Sequence, residues 1–450
     1  MIAPHFPPCK AVAAKRALCF ANNLPTFGWE PAVIALSEEI QKDPNLVELV
    51  PKVAQYRYYR GGPIAWIEDC LFPKKERAVS VTKASTGQNL KKNISLIQQF
   101  KGLPFDKFTK YIPTLIPGAL RFLRKNNCEL IYATGGPFSS FILAHILAKL
   151  TGLPLVLDLR DPYTVDPIYR GRWSPLGFAL ASKLEAKQFQ RASKVILNTR
   201  SSYQTYCKAY RGKIDEDKFT FIRNHFDPKL YETEPSQTAP AHTSSSYTSS
   251  SYTSSSYTSS KDSFKIIFYG HLTPIRNASL FLKAMRLMID QKDLKPGQVS
   301  FATLGRRTQE DESQIVQLHL EPFVEKVEWC TFTKSRIFLQ QYDLLLDLTS
   351  AKHYMRISGK LYDYLSAKRP ILCLSENEEM KEILSDTRAG KVVPNQVDLI
   401  AQALVEFYEA KIKQIPSVMN DEAIYQYSAE PAAQKLANIF DQAVGAIHMS

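Results

Sequence analysis

Short apolar runs bounded by turn residues alternate with stretches of helical spacing along most of this chain. Residues 129–134, 153–159 and 194–198 read as strands, the second of them buried. Between the first two lie the turn residues Gly135, Gly136 and Pro137 and a helix over 141–150. Strand, glycine turn, helix and strand form a βαβ unit, which implies a parallel sheet. The alternation resumes with strands over 264–270, 299–304, 371–374 and 390–394 and an apolar run over 342–348. Helical spacing marks 174–191, 360–367 and 399–408, and an amphipathic tail covers 431–444. At the start, a strand ends near Ile2, a helix spans 11–24 with Ala14, Leu18 and Ala21 apolar, and a strand follows over 32–36. Ser201 is placed to cap a further helix. The pattern predicts an α/β architecture.

It also divides the chain. At 450 residues there is length for two domains of ordinary size. The boundaries read as 1–230, a linker over 231–263, a second domain over 264–420 and a returning segment over 421–450. The linker repeats Ser-Ser-Ser-Tyr-Thr, with Tyr247, Tyr252 and Tyr257 in register, and its repeat tract offers no aliphatic residue to bury. Such a tract is expected to stay disordered.

Charge adds a second asymmetry. The 57 Lys and Arg against 44 Asp and Glu give a net +13, and residues 51–125 alone hold 15 basic against 4 acidic side chains. A basic excess concentrated in one segment points to an anionic partner, whether lipid, nucleic acid or a phosphorylated substrate. Trp66, Phe72, Tyr111 and other aromatics are interleaved with it, which suits a lipid headgroup layer, and no nucleic-acid motif is present. No apolar run reaches membrane-spanning length, and the first residues lack a basic region followed by an apolar one, so secretion is not expected. The seven cysteines are scattered and form no Cys-x-x-Cys, which reads as reduced thiols of a cytosolic chain.

The richest stretch runs from Arg356 to Leu374. Ser358 is a good N-cap, Gly359 leaves room for close backbone approach, and Leu361 and Leu365 share one helical face. Pro370 stops the helix before a short apolar strand. A helix N-terminus suits a phosphate, Lys360 adds a full charge there, and Asp363 one turn on can accept from two ribose hydroxyls. A surface helix that packs its leucines and leaves Lys360 and Asp363 solvated has the same spacing.

At these residues the chain resembles family-4 (group 1) glycosyltransferases. Ser-Gly-Lys-Leu-Tyr-Asp-Tyr-Leu-Ser-Ala-Lys-Arg-Pro-Ile-Leu is similar to their donor-binding motif, with Asp363 at the second carboxylate of a Glu-x7-Glu segment and Met355 where the first would fall. Gly270-His-Leu-Thr-Pro-Ile-Arg-Asn resembles their Gly-Arg-Leu-x-x-x-Lys-Gly loop, which puts Arg276 on the lysine, His271 on the arginine and Asn277 on the glycine. The segment 327–332, which includes Thr331, resembles the strand and loop that hold the nucleobase. Thr-Gly-Gly-Pro-Phe-Ser-Ser paired with Asp-Leu-Arg-Asp-Pro-Tyr resembles one subgroup of that family. There Asp161 can orient or deprotonate an acceptor hydroxyl and Arg160 can hold a phosphate; an Arg–Asp pair that merely pins a loop is the equal alternative.

The resemblance implies a GT-B fold, two Rossmann-like domains facing a cleft with a C-terminal helix that crosses back to the first. It implies a retaining, metal-independent hexosyltransferase with no cofactor beyond its nucleotide-sugar co-substrate. Arg276, Asn277, Lys360, Asp363, Gly270, Ser358, Gly359 and Thr331 become the donor site, and Asp161 and Arg160 the catalytic pair. The expected acceptor is a lipid-linked or other saccharide in surface or extracellular polysaccharide assembly. The expected place is the cytoplasmic face of an anionic membrane, without nucleic acid. A nucleotide-sugar epimerase and a catalytically inactive GT-B binding subunit are the alternatives.

Overall fold

The computed structural model describes residues 1–9, 13–37, 52–59, 105–106, 108–171, 173–231, 263–274, 276–327, 332–349 and 355–448. The repeat tract of the linker, most of the basic segment and Thr331 lie outside the described residues. The chain divides into two units, Met1–Arg223 with Ala433–Ser450, and Asn224–Ala432.

In the first unit the strands are β1 (Val33–Ser37), β2 (Gln55–Tyr59), β3 (Ile131–Thr134), β4 (Leu155–Leu159), β5 (Lys194–Leu197) and β6 (Phe219–Phe221). They pair in parallel as β2–β1 and β3–β4–β5–β6. A single residue joins the two groups. Ile2 bridges Ile34 of β1 on one side and Ala133 of β3 on the other, and its N–H donates to Tyr132 O at 2.7 Å. The strand expected at Ile2 is therefore a one-residue rung because Pro4, Pro7 and Pro8 leave few backbone donors to extend it.

The principal helices of this unit are α1 (Ala13–Asn23), α2 (Ile112–Lys125), α3 (Ser139–Thr151), α4 (Pro175–Arg191), α5 (Arg200–Tyr210) and, after the whole second unit, the C-terminal helix Ala429–His448, which begins just before the boundary. Leu155, Leu157, Val195 and Leu197 of the central strands pack with Phe141, Ala144 and Leu147 of α3 in one buried cluster. Thr199, not Ser201, caps α5: its hydroxyl accepts from Ser202 N at 3.0 Å, and Ser201 lies within the first turn.

The second unit holds β7 (Phe264–Tyr269), β8 (Val299–Leu304), β9 (Val324–Val327), β10 (Leu344–Leu348), β11 (Ile371–Leu374) and β12 (Gly390–Val393). They form a parallel sheet in the order β12–β11–β10–β7–β8–β9. Counted from β7 this is the 3-2-1-4-5-6 order of a doubly wound Rossmann sheet, whose direction reverses between β7 and β10. Of the segment 327–332, expected as the strand and loop that hold the nucleobase, Val327 closes β9 and residues 328–331 lie outside the described residues.

Its helices are α6 (Ser279–Gln291), α7 (Gln309–Gln317), α8 (Gly359–Ala367), α9 (Glu378–Thr387) and α10 (Val397–Ile412), and α11 denotes Ala429–His448. Leu344, Leu346 and Leu348 bury one face of β10 with Phe281, Leu282 and Met285 of α6. Leu345 faces the opposite cluster with Leu361, Tyr364 and Leu365 of α8. Tyr364 fastens that side, accepting from Tyr269 N at 2.9 Å and donating to Leu346 O at 2.9 Å.

Candidate functional site

Doubly wound sheets bind ligands outside the carboxyl ends of their strands, where the strand order reverses. In the second unit that point lies between β7 and β10, whose pairing covers only Leu344 with Ile266 and Leu345 with Ile267. Beyond those pairs sit the residues of interest. Gly270 follows β7 with φ +131°, and a β-carbon on it would overlap Nζ and Cε of Lys360. Gly305 follows β8 with φ +145°, and its β-carbon would fall 2.5 Å from Gly270 O. Two glycines thus let neighbouring loops and the Lys360 side chain close on one another, as no L-residue with a side chain could.

Lys360 enters from the first turn of α8. Ser358 caps that helix as expected, accepting from Lys360 N at 3.3 Å. The lysine is half-buried, yet its ammonium nitrogen is shut off from solvent and has no hydrogen-bond partner among the described residues. It lies 4.2 Å from the centroid of the Phe268 ring. Burial and the neighbouring Arg276 charge lower its pKa to about 8, against the opposing pull of Asp347 and Asp363. Arg276 is held by a tight turn in which Thr273 and Arg276 exchange both backbone hydrogen bonds, at 2.8 and 3.1 Å. Two cations, one of them unpartnered, are therefore gathered at the carboxyl edge of the reversal point.

The other expected donor residues divide. Asn277 accepts from Ser279 N at 3.2 Å and donates to Pro274 O at 3.2 Å, so its side chain shapes the entry to α6. The first amide there, of Ala278, already donates to Asp311 at 3.0 Å. His271 accepts from Arg306 N at 3.0 Å, a local bond between the two glycine loops. Gly359 is exposed and a β-carbon on it would meet nothing, so no protein atom requires a glycine there. Asp363 is only 8% exposed and accepts from Tyr231 OH at 2.7 Å. Met355 is buried.

In the first unit, Arg160 and Asp161 follow β4, beside the glycine turn that follows β3. Arg160 donates to Gly135 O at 2.7 Å and Gly136 O at 2.6 Å. Gly136 has φ +81°, and a β-carbon there would lie 2.8 Å from the Arg160 guanidinium. The guanidinium is thus engaged in pinning the turn. Asp161 is half-buried, and its charge helps hold the Arg160 pKa up against burial. Thr134 Oγ1 and Ser139 Oγ, at the same edge, are buried without a hydrogen-bond partner.

Two buried networks support this edge, and neither is evident from local sequence. Asp158 of β4 receives Arg16 Nε at 2.8 Å and Nη2 at 3.0 Å and Tyr132 OH at 2.5 Å. Arg16 also donates to the carbonyls of Ile222 and Arg223 at 3.0 and 2.9 Å. Arg16 is thus neither a surface charge nor free for a phosphate. Glu185 of α4 accepts from Tyr210 OH at 2.6 Å, Tyr206 OH at 3.0 Å and the Thr164 hydroxyl, while Tyr206 OH in turn accepts from Tyr163 N at 2.8 Å. Burial raises the Glu185 pKa. The loop after Asp161 is tied down by that carboxylate.

No protein-family model and no curated protein matches this sequence. Solved structures do match. HepE of Anabaena, solved with UDP and glucose, shares 15% identity over 100% of this chain and 98% of its own, with a TM-score of 0.57. Sucrose-phosphate synthase of Thermosynechococcus elongatus shares 13% over 96% and 92%, with a TM-score of 0.59. A glycosyltransferase from Rickettsia africae shares 12% over 98% and 97%, with a TM-score of 0.56. Together with two Rossmann-like units in one chain, these matches define a GT-B fold.

Proposed function

We propose that this protein is a glycosyltransferase that moves a hexosyl group from a nucleotide-sugar to a saccharide or lipid-linked acceptor. The observation that carries the reading is the unpartnered Lys360 ammonium, gathered with Arg276 at the reversal point of the second sheet. That position, charge and seclusion suit a diphosphate. In the reaction the bond from the anomeric carbon to the diphosphate oxygen breaks, its electron pair leaves with the nucleotide, and the acceptor hydroxyl oxygen forms the new bond to that carbon. Arg276 and Lys360 stabilise the charge that develops on the departing oxygen, in a site where little water screens it. No metal is assigned to that task. Asp161 receives the proton of the acceptor hydroxyl, and Arg160 fixes the turn beside it. The resemblance to family-4 enzymes favours retention at the anomeric carbon and a role in polysaccharide assembly. HepE, in complex with UDP and glucose, is the neighbour whose ligands fit this donor class.

Nucleotide release from a panel of nucleotide-sugars, with and without saccharide acceptors, tests the reading. Acceptor-dependent release is expected, and Asp161→Asn is expected to depress it while donor affinity holds. Donor isomerisation without acceptor would identify an epimerase. Binding without turnover would identify an inactive binding subunit. A fall in donor affinity in Asp161→Asn would move that residue out of the acceptor site.

The basic segment 51–125 supports a membrane-apposed acceptor. Among the described residues no helix is long and apolar enough to cross a membrane, and peripheral attachment at the cytoplasmic face is the proposed mode. Each Lys or Arg near an anionic bilayer contributes roughly 1 kcal/mol. Sedimentation with anionic but not zwitterionic vesicles is expected, and it is expected to be lost at about 1 M salt as screening shortens to about 3 Å. Equal binding to neutral vesicles, or none to anionic ones, would assign the segment to a soluble phosphorylated acceptor instead.

A further inference from the structure

The central strands β4 and β10 end alike. Leu-Val-Leu-Asp-Leu in the first unit and Leu-Leu-Leu-Asp-Leu in the second each place an aspartate next to last, wholly buried at the carboxyl edge of a sheet. Their surroundings differ. Asp158 is satisfied by both ends of the Arg16 guanidinium and by a tyrosine hydroxyl. Asp347 has no such partner. Among the described residues neither of its oxygens meets full hydrogen-bond geometry; burial raises its pKa, while Lys360, Arg276 and a weak contact to the Leu348 amide pull it down.

A carboxylate buried without full hydrogen bonding is strongly destabilising unless nearby charge offsets it. The offsetting charges here are the same two cations assigned to the diphosphate. Lys360 is itself an unpartnered ammonium shut off from water. The groups that face it are Asp347 from β10, Arg276 from the loop after β7, Asp363 from its own helix and the Phe268 ring of β7. Asp363 is already engaged by Tyr231 OH. Without Asp347, two adjacent cations would stand in a dry pocket with that one hydrogen-bonded carboxylate as counter-charge, and repulsion would favour loss of the Lys360 proton.

We propose that Asp347 is a positioning residue: a buried counter-charge that keeps Lys360 protonated and in place over Gly270 while the site is empty. It acts through Lys360 and does not touch the ligand. The inference rests on the reading of this point as a nucleotide-diphosphate site only for its consequence in binding, since its effect on Lys360 is measurable in ligand-free protein.

The test uses full-length wild type and Asp347→Asn. Lysines are labelled biosynthetically with 13C and 15N, and Lys360, assigned by its loss in Lys360→Arg, is followed by NMR through the titration of its Cε and Nζ without ligand. A midpoint near 8 is expected in the wild type, and one lower by about one unit or more in Asp347→Asn. UDP affinity, measured from about pH 7 to about pH 9.5 to span that titration, is expected to fall with rising pH as Lys360 deprotonates. The fall is expected at lower pH in Asp347→Asn, with about fivefold weaker binding near pH 8 and about tenfold at higher pH for a one-unit shift. Melting temperature is expected to fall more at about pH 7 than at about pH 9.5, because the loss of the carboxylate leaves Lys360 and Arg276 in repulsion only while Lys360 is charged. A purely structural carboxylate would lower it equally at both and leave the titration where it was. An unmoved Lys360 midpoint overturns the proposal, as does tighter UDP binding in Asp347→Asn, which would mean that Asp347 competes with phosphate. A shifted midpoint in a protein that never binds UDP upholds the counter-charge and removes the diphosphate reading instead.

Discussion

Asp158→Ala is expected to cost about 3–5 kcal/mol of stability in the first unit, the usual penalty for stripping one member from a buried ion pair. Arg16 would keep its charge inside the protein without its carboxylate counter-charge, beside the Ile222 and Arg223 carbonyls and the Phe20 ring, and the Tyr132 hydroxyl would lose its acceptor. Arg16→Met is expected to be similarly harmful, because it leaves Asp158 buried with one hydroxyl. Combining Arg16→Met with Asp158→Leu is expected to recover much of either loss, since the double change removes both charges and leaves apolar groups in their place. Urea unfolding of the three variants measures this. A loss under about 1 kcal/mol in Asp158→Ala would show that the pair is solvated in a way its geometry does not suggest.

The second large effect concerns binding. Replacing Lys360 or Arg276 with Ala is expected to weaken nucleoside diphosphate binding by about 1.5–3 kcal/mol each, the worth of a charged hydrogen bond. Lys360→Ala is expected to change stability little, because the removal of a dehydrated charge is offset by the loss of one of the two counter-charges of Asp347. Asp363→Asn is expected to weaken binding as well, and it also alters the acceptor of the Tyr231 hydroxyl, so its melting temperature must be compared. Calorimetry with UDP reads all three. Unchanged affinity throughout would sink the donor-site assignment.

The architecture was legible from sequence wherever a strand is buried on both faces, because such strands are written as apolar runs: β3, β4, β5, β7, β8 and β11 fall within two residues of where those runs lie. Helix α2 was not read, although its buried residues Ile112, Leu115, Ala119 and Leu123 keep helical spacing. Pro113 and Pro117 mask it, the first near the helix start, where proline is tolerated, the second inside, where it is not expected. Capping of α5 was misplaced because Asn198-Thr199-Arg200-Ser201-Ser202 offers several side-chain oxygens, and only geometry selects Thr199.

The site was legible in part. Lys360, Gly270 and Ser358 could be picked out because a cap, a glycine after a strand and a lysine in the first helical turn are local signals. Arg160 was seen, but the loop-pinning alternative paired it with Asp161, whereas it donates to the Gly135 and Gly136 carbonyls. What local pattern cannot supply is pairing at long separation: Arg16 and Asp158 are 142 residues apart. A usable signal did exist. An aspartate inside an otherwise apolar strand must find compensation somewhere, and both Asp158 and Asp347 stood in plain view within such runs.

The first unit is discontinuous in sequence, completed by Ala433–Ser450 after the entire second unit. Phe440 from that last segment meets the rings of Trp29 and Tyr132 edge-on, at 5.1 and 5.6 Å between centroids. During synthesis the second unit, continuous from Asn224 to Ala432, has all its residues available before the first does. The earlier-made unit must wait on the ribosome with Trp29 and Tyr132 lacking their final neighbour. The order of completion is therefore the reverse of the order of translation, and a chain released short of its last turns would carry a finished nucleotide-type sheet beside an unfinished partner.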